Sequence, residues 1–228
     1  MSRDRPKGRP RRPGPSRQPC ERVLVVCEGA KTEKFYLNGL LDHYQLSTTD
    51  IRMLGVGADP QSLVTEAKRL SREEVWRGEK FDRIYCVFDR ISHVNFASAS
   101  QDAERSGICL ARSWPCFEFW LLLHFCYTRK PYAAENGRSA GQNCVRDLQG
   151  YLPEYSKGLV GVFPQLLSRL DEAKSNAGKA RKDARAVGEE NPSTEFHELV
   201  GPVDNRVAFQ SVRCHFPRNA RRNGGTSS

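Results

Sequence analysis

The sequence predicts an α/β fold, a mostly parallel sheet flanked by helices. Strand-like and helix-like segments alternate from residue 22 onward at intervals of roughly 20 to 30 residues, the pattern of a parallel α/β sheet. The first strand-like run, "VLVVC" at 23–27, is apolar throughout and reads as a buried strand. It ends in Glu28-Gly29, a carboxylate and a glycine placed where open α/β sheets bind ligands.

The elements follow in order. Strand one spans 22 to 27. Helix one starts near Thr32, which is placed to cap it, and carries Phe35, Tyr36, Leu40 and Leu41 at helical spacing. "IRMLGVG" (51–57) reads as strand two. "DPQSLVTEAKRLSREE" (59–74) predicts a helix, with Asp59 as cap, Pro60 in the first turn and Leu63, Val64, Ala67 and Leu70 on one face. "FDRIYCVFDR" (81–90) is strand three, and its apolar run ends at Asp89. Helix three covers 97–107 and strand four 108–113. "PCFEFWLLLHF" (115–125) is apolar enough for a buried helix, with Phe117, Trp120 and His124 as core residues. The polar, Gly/Asn-rich stretch 129–145 reads as a loop. Further helix is expected over 158–187. A turn and a short helix capped by Ser193 or Thr194 close the body at 189–203. No internal repeat is visible.

The chain has 228 residues and a net charge of +9. Residues 1–18 hold seven Lys/Arg and one Asp, and residues 211–228 hold four Arg and no acid. The body between these ends is therefore close to neutral. Three parts are expected: a disordered basic tail (1–20), one domain (21–203) and a basic tail (204–228). Basic tails imply weak, salt-sensitive attraction to polyanions, or simply solubility. None of the eight cysteines forms a C-x-x-C pair, which argues against a zinc ribbon. Cys27, Cys86, Cys116 and Cys126 lie in apolar runs as small hydrophobes. With no apolar segment after the basic N-terminus and no membrane-length run, a soluble cytoplasmic protein is expected.

Three acids stand at the ends of apolar segments: Glu28 after strand one, Asp89 after strand three and Glu118 after strand four. In a parallel sheet these ends share one edge. Converging carboxylates suit Mg²⁺ or Mn²⁺, because hard cations take oxygen ligands. Gly29 would let the backbone approach a phosphate. Lys31 and Arg90 are placed to meet phosphate or nucleic acid, or are simply solvated, and His93 is a candidate for metal, for phosphate or for an exposed loop position. Taken singly, Glu28 is also a candidate helix cap, Asp89 a turn opener and Glu118 an arginine partner.

"VVCEGAKTEKFYL", "VFDRISHVNF" and "SWPCFEFWLLLHF" together resemble the RloB-like family, as do "YLPEYSKG" and "NPSTEFHELV". The resemblance covers about residues 21 to 203. It implies a Toprim-type domain associated with bacterial restriction and phage-defence loci. Its expected activity is Mg²⁺-dependent cleavage of DNA or RNA, with an ATPase partner protein. Toprim domains use a glutamate after the first strand, matching Glu28, as general acid/base. An Asp-x-Asp after a later strand holds the metal, matching Asp89. RloB-like chains read D-R-D-x-H there; this chain reads Asp89-Arg90-Ile91-Ser92-His93. The second aspartate is missing, and an isoleucine cannot ligate. Glu118 is the next candidate carboxylate. The resemblance therefore leaves two functions open: a metal-dependent nuclease, or a degenerate Toprim subunit that binds nucleic acid without cutting. Tyr155 and Lys157 belong to a matching segment with no role readable from spacing.

Overall fold

The computed structural model describes residues 22–29, 31–45, 49–54, 58–90 and 95–201. The basic tails, and Ile91, Ser92 and His93, lie outside the described residues.

The architecture is α/β. Five strands form one sheet in the order β2-β1-β3-β4-β5: β1 (Val23–Cys27), β2 (Thr49–Met53), β3 (Arg83–Asp89), β4 (Cys109–Trp114) and β5 (Ser193–Thr194). The first four are parallel, and β5 joins the edge antiparallel. Strand side chains point alternately to opposite faces, and both faces are covered. Val23, Val25, Cys27, Tyr85, Val87 and Ala111 pack on one side with α1 (Thr32–Tyr44) and the later helices. Leu24, Val26, Cys86 and Phe88 pack on the other with α2 (Pro60–Trp76) and α3 (Phe96–Arg105). Burial on both faces explains why β1 is apolar at every position.

The C-terminal part comprises α4 (Glu118–Leu122), α5 (Ala140–Gln149), α6 (Val162–Leu166), a 3₁₀ turn (Leu167–Arg169), α7 (Leu170–Val187) and α8 (Phe196–Val200). It is tied to the sheet through Tyr36 of α1. That fully buried ring meets Phe117, Trp120, His124, Phe163 and Phe196 edge-on, at centroid distances of 5.2–6.2 Å. Edge-to-face contact is the preferred aromatic geometry. Close approach of α1 to α6 needs Gly39, where a Cβ would come within 2.9 Å of Phe163 Cβ.

Several expectations change. Strand two begins earlier than predicted and ends at Met53, because its register is set by pairing along β1; residues 55–57 lie outside the described residues. Thr32 does not cap α1. Lys31 holds the N-cap position, while Thr32 Oγ1 accepts from the Gly158 amide at 2.8 Å, tying the helix start to a distant loop. Asp59 does hold the N-cap position of α2, but through its backbone, with no side-chain cap bond. The predicted loop 129–145 gives way to α5 at Ala140. A capping box starts that helix: Gln142 N donates to Ser139 Oγ at 3.2 Å, and Ser139 N donates to Gln142 Oε1 at 2.7 Å. Ser193 and Thr194 form β5 and Glu195 holds the N-cap position of α8, while Thr194 Oγ1 accepts from the Phe196 amide at 3.1 Å and so serves the helix start from one residue further back.

The described cysteines Cys27, Cys86, Cys116 and Cys144 are buried thiols and Cys126 a partly buried one; Cys109 in β4 is disulfide-bonded. Among the described residues no helix is long and apolar enough to cross a membrane.

Candidate active site

The chain crosses from β1 to β2 on one face of the sheet and from β3 to β4 on the other. The adjacent C-terminal ends of β1 and β3 are therefore a topological switch point, where open α/β sheets leave a ligand crevice. Glu28 leaves β1 there, and Asp89 is the last residue of β3. Backbone bonds fix both: the Glu28 amide donates to Val87 O at 3.0 Å, and the Asp89 amide reaches Glu28 Oε2 at 3.4 Å. Glu118 arrives from beyond β4. A turn at 115–117 carries it to the first residue of α4, where it is only 2 % exposed.

A fourth carboxylate joins them. Glu33, in the first turn of α1, lies over Gly29: a Cβ at that position would fall 1.9 Å from Glu33 Oε2. The missing side chain of Gly29 thus makes room for a carboxylate. Sequence reasoning passed over Glu33 because an acid in a first helical turn has an ordinary role next to the helix dipole. Its spacing five residues after Glu28 was the available signal.

The four acids act on one another. Burial, then Glu33 and Glu118, push the Asp89 carboxyl well above the usual range, with Glu28 adding to the rise and Lys157 opposing it. Burial, with Glu118 and Glu28, lifts Glu33 to about 7, against its own backbone hydrogen bond and Lys157. Carboxylates withdrawn from water beside like charges resist ionisation.

Tyr155 and Lys157 acquire a place here. The buried Tyr155 hydroxyl donates to Glu118 Oε1 at 2.9 Å, and Lys157 Nζ stands 3.4 Å from Glu118 Oε2. Glu118 Oε2 is buried and accepts no hydrogen bond. The loop bearing both residues is anchored by Gly158, which sits at φ +86° with the Lys31 side chain packed against it. Lys31 therefore borders the site from α1's N-terminal side.

Arg90 follows Asp89. Its guanidinium lies 4.2 Å from the Trp114 ring centroid and 4.8 Å from that of Phe96. It lines a cleft of about 700 Å³ together with Lys157, the first turn of α3, the turn after β4 and the segment from Tyr132 into α5. His93 and Ile91 lie outside the described residues. His124 is a core residue, as its sequence context implies. Its Nδ1 meets Trp120 O at 3.1 Å and its Nε2 the Tyr36 hydroxyl at 3.2 Å. A carbonyl can only accept, so Nδ1 carries the proton and Nε2 accepts from Tyr36.

The donor set is all oxygen, which suits a hard divalent cation. Crowded carboxylates with raised pKa values, and a buried Glu118 oxygen paired only at 3.4 Å with Lys157, fit a cation that would restore their charge. Among the described residues, however, no three His, Cys, Asp or Glu side chains stand close enough to hold one ion.

The family model described as RloB-like protein matches residues 23–202. No curated protein and no solved structure matches the chain. The family match takes in β1 through α8 and all four carboxylates, and on that span the chain belongs to the RloB-like family.

Proposed function

We propose that this chain is a Toprim-type phosphodiesterase that uses Mg²⁺ or Mn²⁺ to cleave DNA or RNA in a bacterial defence setting, with an ATPase as its partner protein. The observation that carries this reading is the set of Glu28, Glu33, Asp89 and Glu118 at the β1/β3 switch point, opposed mainly by Lys157. Glu28 and Asp89 would hold the ion together with water, and Glu118, which does not complete a three-ligand set in the metal-free protein, would close on it when it binds. When bound, it supplies a Lewis acid and an activated water at the scissile phosphate. Tyr155 fixes one oxygen of Glu118, leaving the other directed toward Lys157. Glu33 adds a fourth carboxyl beside Glu28, held protonated more readily in the metal-free cluster and ionised more readily once a cation is bound.

A second reading, a nucleic-acid-binding subunit that does not cut, draws on two facts. Ile91 stands where the family has a ligand, and the described carboxylates do not assemble a three-ligand set. Calorimetry with Mn²⁺ and Mg²⁺ on the chain, on Glu28→Gln and on Ile91→Asp separates the two, followed by cleavage assays on DNA and RNA. Metal binding by the chain that weakens at least ten-fold in Glu28→Gln, together with metal-dependent cleavage, is the expected result. Binding by Ile91→Asp alone identifies the non-cutting subunit. Absence of binding by every variant removes the metal site from the reading.

A further inference from the structure

The cleft beside the acids has a lining that the phosphodiester chemistry does not need. Arg90 and Lys157 stand on it, and among its described residues there is no acidic side chain, although a cluster of four lies next to it. Phe96 and Trp114 are half-buried and line the cleft, with the Arg90 guanidinium held over both rings. Much of the remaining wall is small: Ala97, Ala133, Ala134, Ala140 and Gly141. Small residues between aromatic and cationic groups leave room for a flat, π-faced group joined to an anion. The volume of about 700 Å³ falls within the range of pockets that enclose organic ligands.

We infer that this cleft takes an unpaired nucleobase next to the phosphate at the acid cluster, so that the substrate is single-stranded or has a nucleotide turned out of its stack. The inference rests on the nucleic-acid reading above and adds to it the strandedness of the substrate. Lys157 lines the cleft and stands 3.4 Å from Glu118 Oε2, so it marks where the cleft meets the acids, and Arg90, the residue after Asp89, continues the cationic lining over Trp114 and Phe96. A phosphate there faces positive charge, while its base meets Trp114, Phe96 and the guanidinium of Arg90. A base in a duplex has both faces covered by its neighbours and cannot enter. Stacking of exposed bases on aromatic and arginine side chains is the usual basis of single-strand recognition.

The test uses the full chain and a labelled single-stranded oligonucleotide of about twelve nucleotides, with Ca²⁺ in place of Mg²⁺ and fluorescence anisotropy as readout. A duplex of the same sequence, and single strands with one abasic position moved along the chain, complete the set. Trp114→Leu removes the ring. Ala134→Asp, at an exposed position, places an acid among described lining residues that hold none, without touching the core. We expect each variant to weaken single-strand binding roughly ten-fold, within the range of one lost stacking contact. One abasic position should weaken wild type similarly and have no further effect in Trp114→Leu, the signature of a direct pair. Additive effects of base removal and Trp114→Leu, equal binding of duplex, or absence of binding overturn the inference. Cleavage that persists with both variants unaffected overturns the cleft alone and leaves the phosphodiesterase reading standing. Variant-sensitive single-strand binding without cleavage under any metal supports the cleft and rejects that reading.

Discussion

Glu33 and Asp89 are carboxyl groups whose protonated forms the fold favours, and this has a stability consequence. Their folded pKa values lie above the usual 4.5 and 3.8, Glu33 at about 7. A raised carboxyl contributes stability that is fully present below its unfolded pKa and lost as pH rises through its folded pKa. Above neutral pH the cluster therefore destabilises the metal-free protein. Glu33→Gln is expected to raise stability by about 1–3 kcal/mol at pH 8 in chelator, a gain of several degrees in thermal midpoint. Asp89→Asn should act in the same direction, and the double variant should gain less than the sum. At pH 4 the Glu33→Gln advantage should vanish. Thermal unfolding at the two pH values, with and without Mn²⁺, checks this; added Mn²⁺ should remove the advantage at pH 8 by stabilising wild type. Glu28 and Asp89 stand out in the sequence because each ends an apolar run, and Glu118 because it interrupts one. Glu33 and Lys157 were not legible as partners of those acids, since neither stands at a strand end.

At the element scale the weakest piece is β5, a two-residue strand that closes the sheet edge. Its position depends on Glu195, which is 5 % exposed and accepts from Arg112 Nε at 2.6 Å and from Arg181. Burial alone would raise the Glu195 pKa; the two arginines outweigh it and hold the carboxyl below its ordinary value. Arg181 also pairs with Glu190, so the network joins α7, the 189–195 turn and β4. Glu195→Gln leaves two largely buried guanidinium groups short of charge. It should cost about 3–5 kcal/mol, as breaking buried ion pairs does, and urea denaturation would read it. A loss below about 1 kcal/mol would place this network in the class of exposed pairs. The network was invisible in sequence because Arg112 and Glu195 are 83 residues apart. By contrast, α2 was legible from Pro60 and its apolar face. The start of α5 had a local signal too, Ser139 with Gln142, but the Gly and Asn residues around it outweighed a short capping box.

Over the whole molecule, two histidines oppose the acids. Burial lowers both His124 and His197 to about 4. A histidine kept neutral in the fold binds its proton only on unfolding. Its contribution is therefore complete above pH 6.5 and is lost as pH falls from 6.5 toward 4, by up to about 3 kcal/mol each. Urea unfolding at half-unit steps from pH 4 to 8 should show stability falling on the acid side of 6.5 when Mn²⁺ masks the carboxylates. His124→Gln should reduce that slope. An unchanged slope would mean that His124 titrates normally in the folded state. His124 also bonds Tyr36, the ring that joins α1 to the C-terminal helices, so its loss should lower stability at every pH as well.

The sequence by itself determined the α/β class, the order and approximate extent of four parallel strands, the two-sided burial of β1 and the RloB-like membership. These follow from apolar runs, periodicity and local motifs, which act over a few residues. Only the tertiary structure decided that β1 and β3 are neighbours, and hence that Glu28 and Asp89 share one crevice. It also decided that Glu33 fills the space above Gly29, that Tyr155 and Lys157 serve Glu118, and that a cleft with no acid among its described lining residues adjoins the carboxylates. Each of these depends on which chain crosses which face of the sheet. Sequence spacing carries no information on that until the faces have packed.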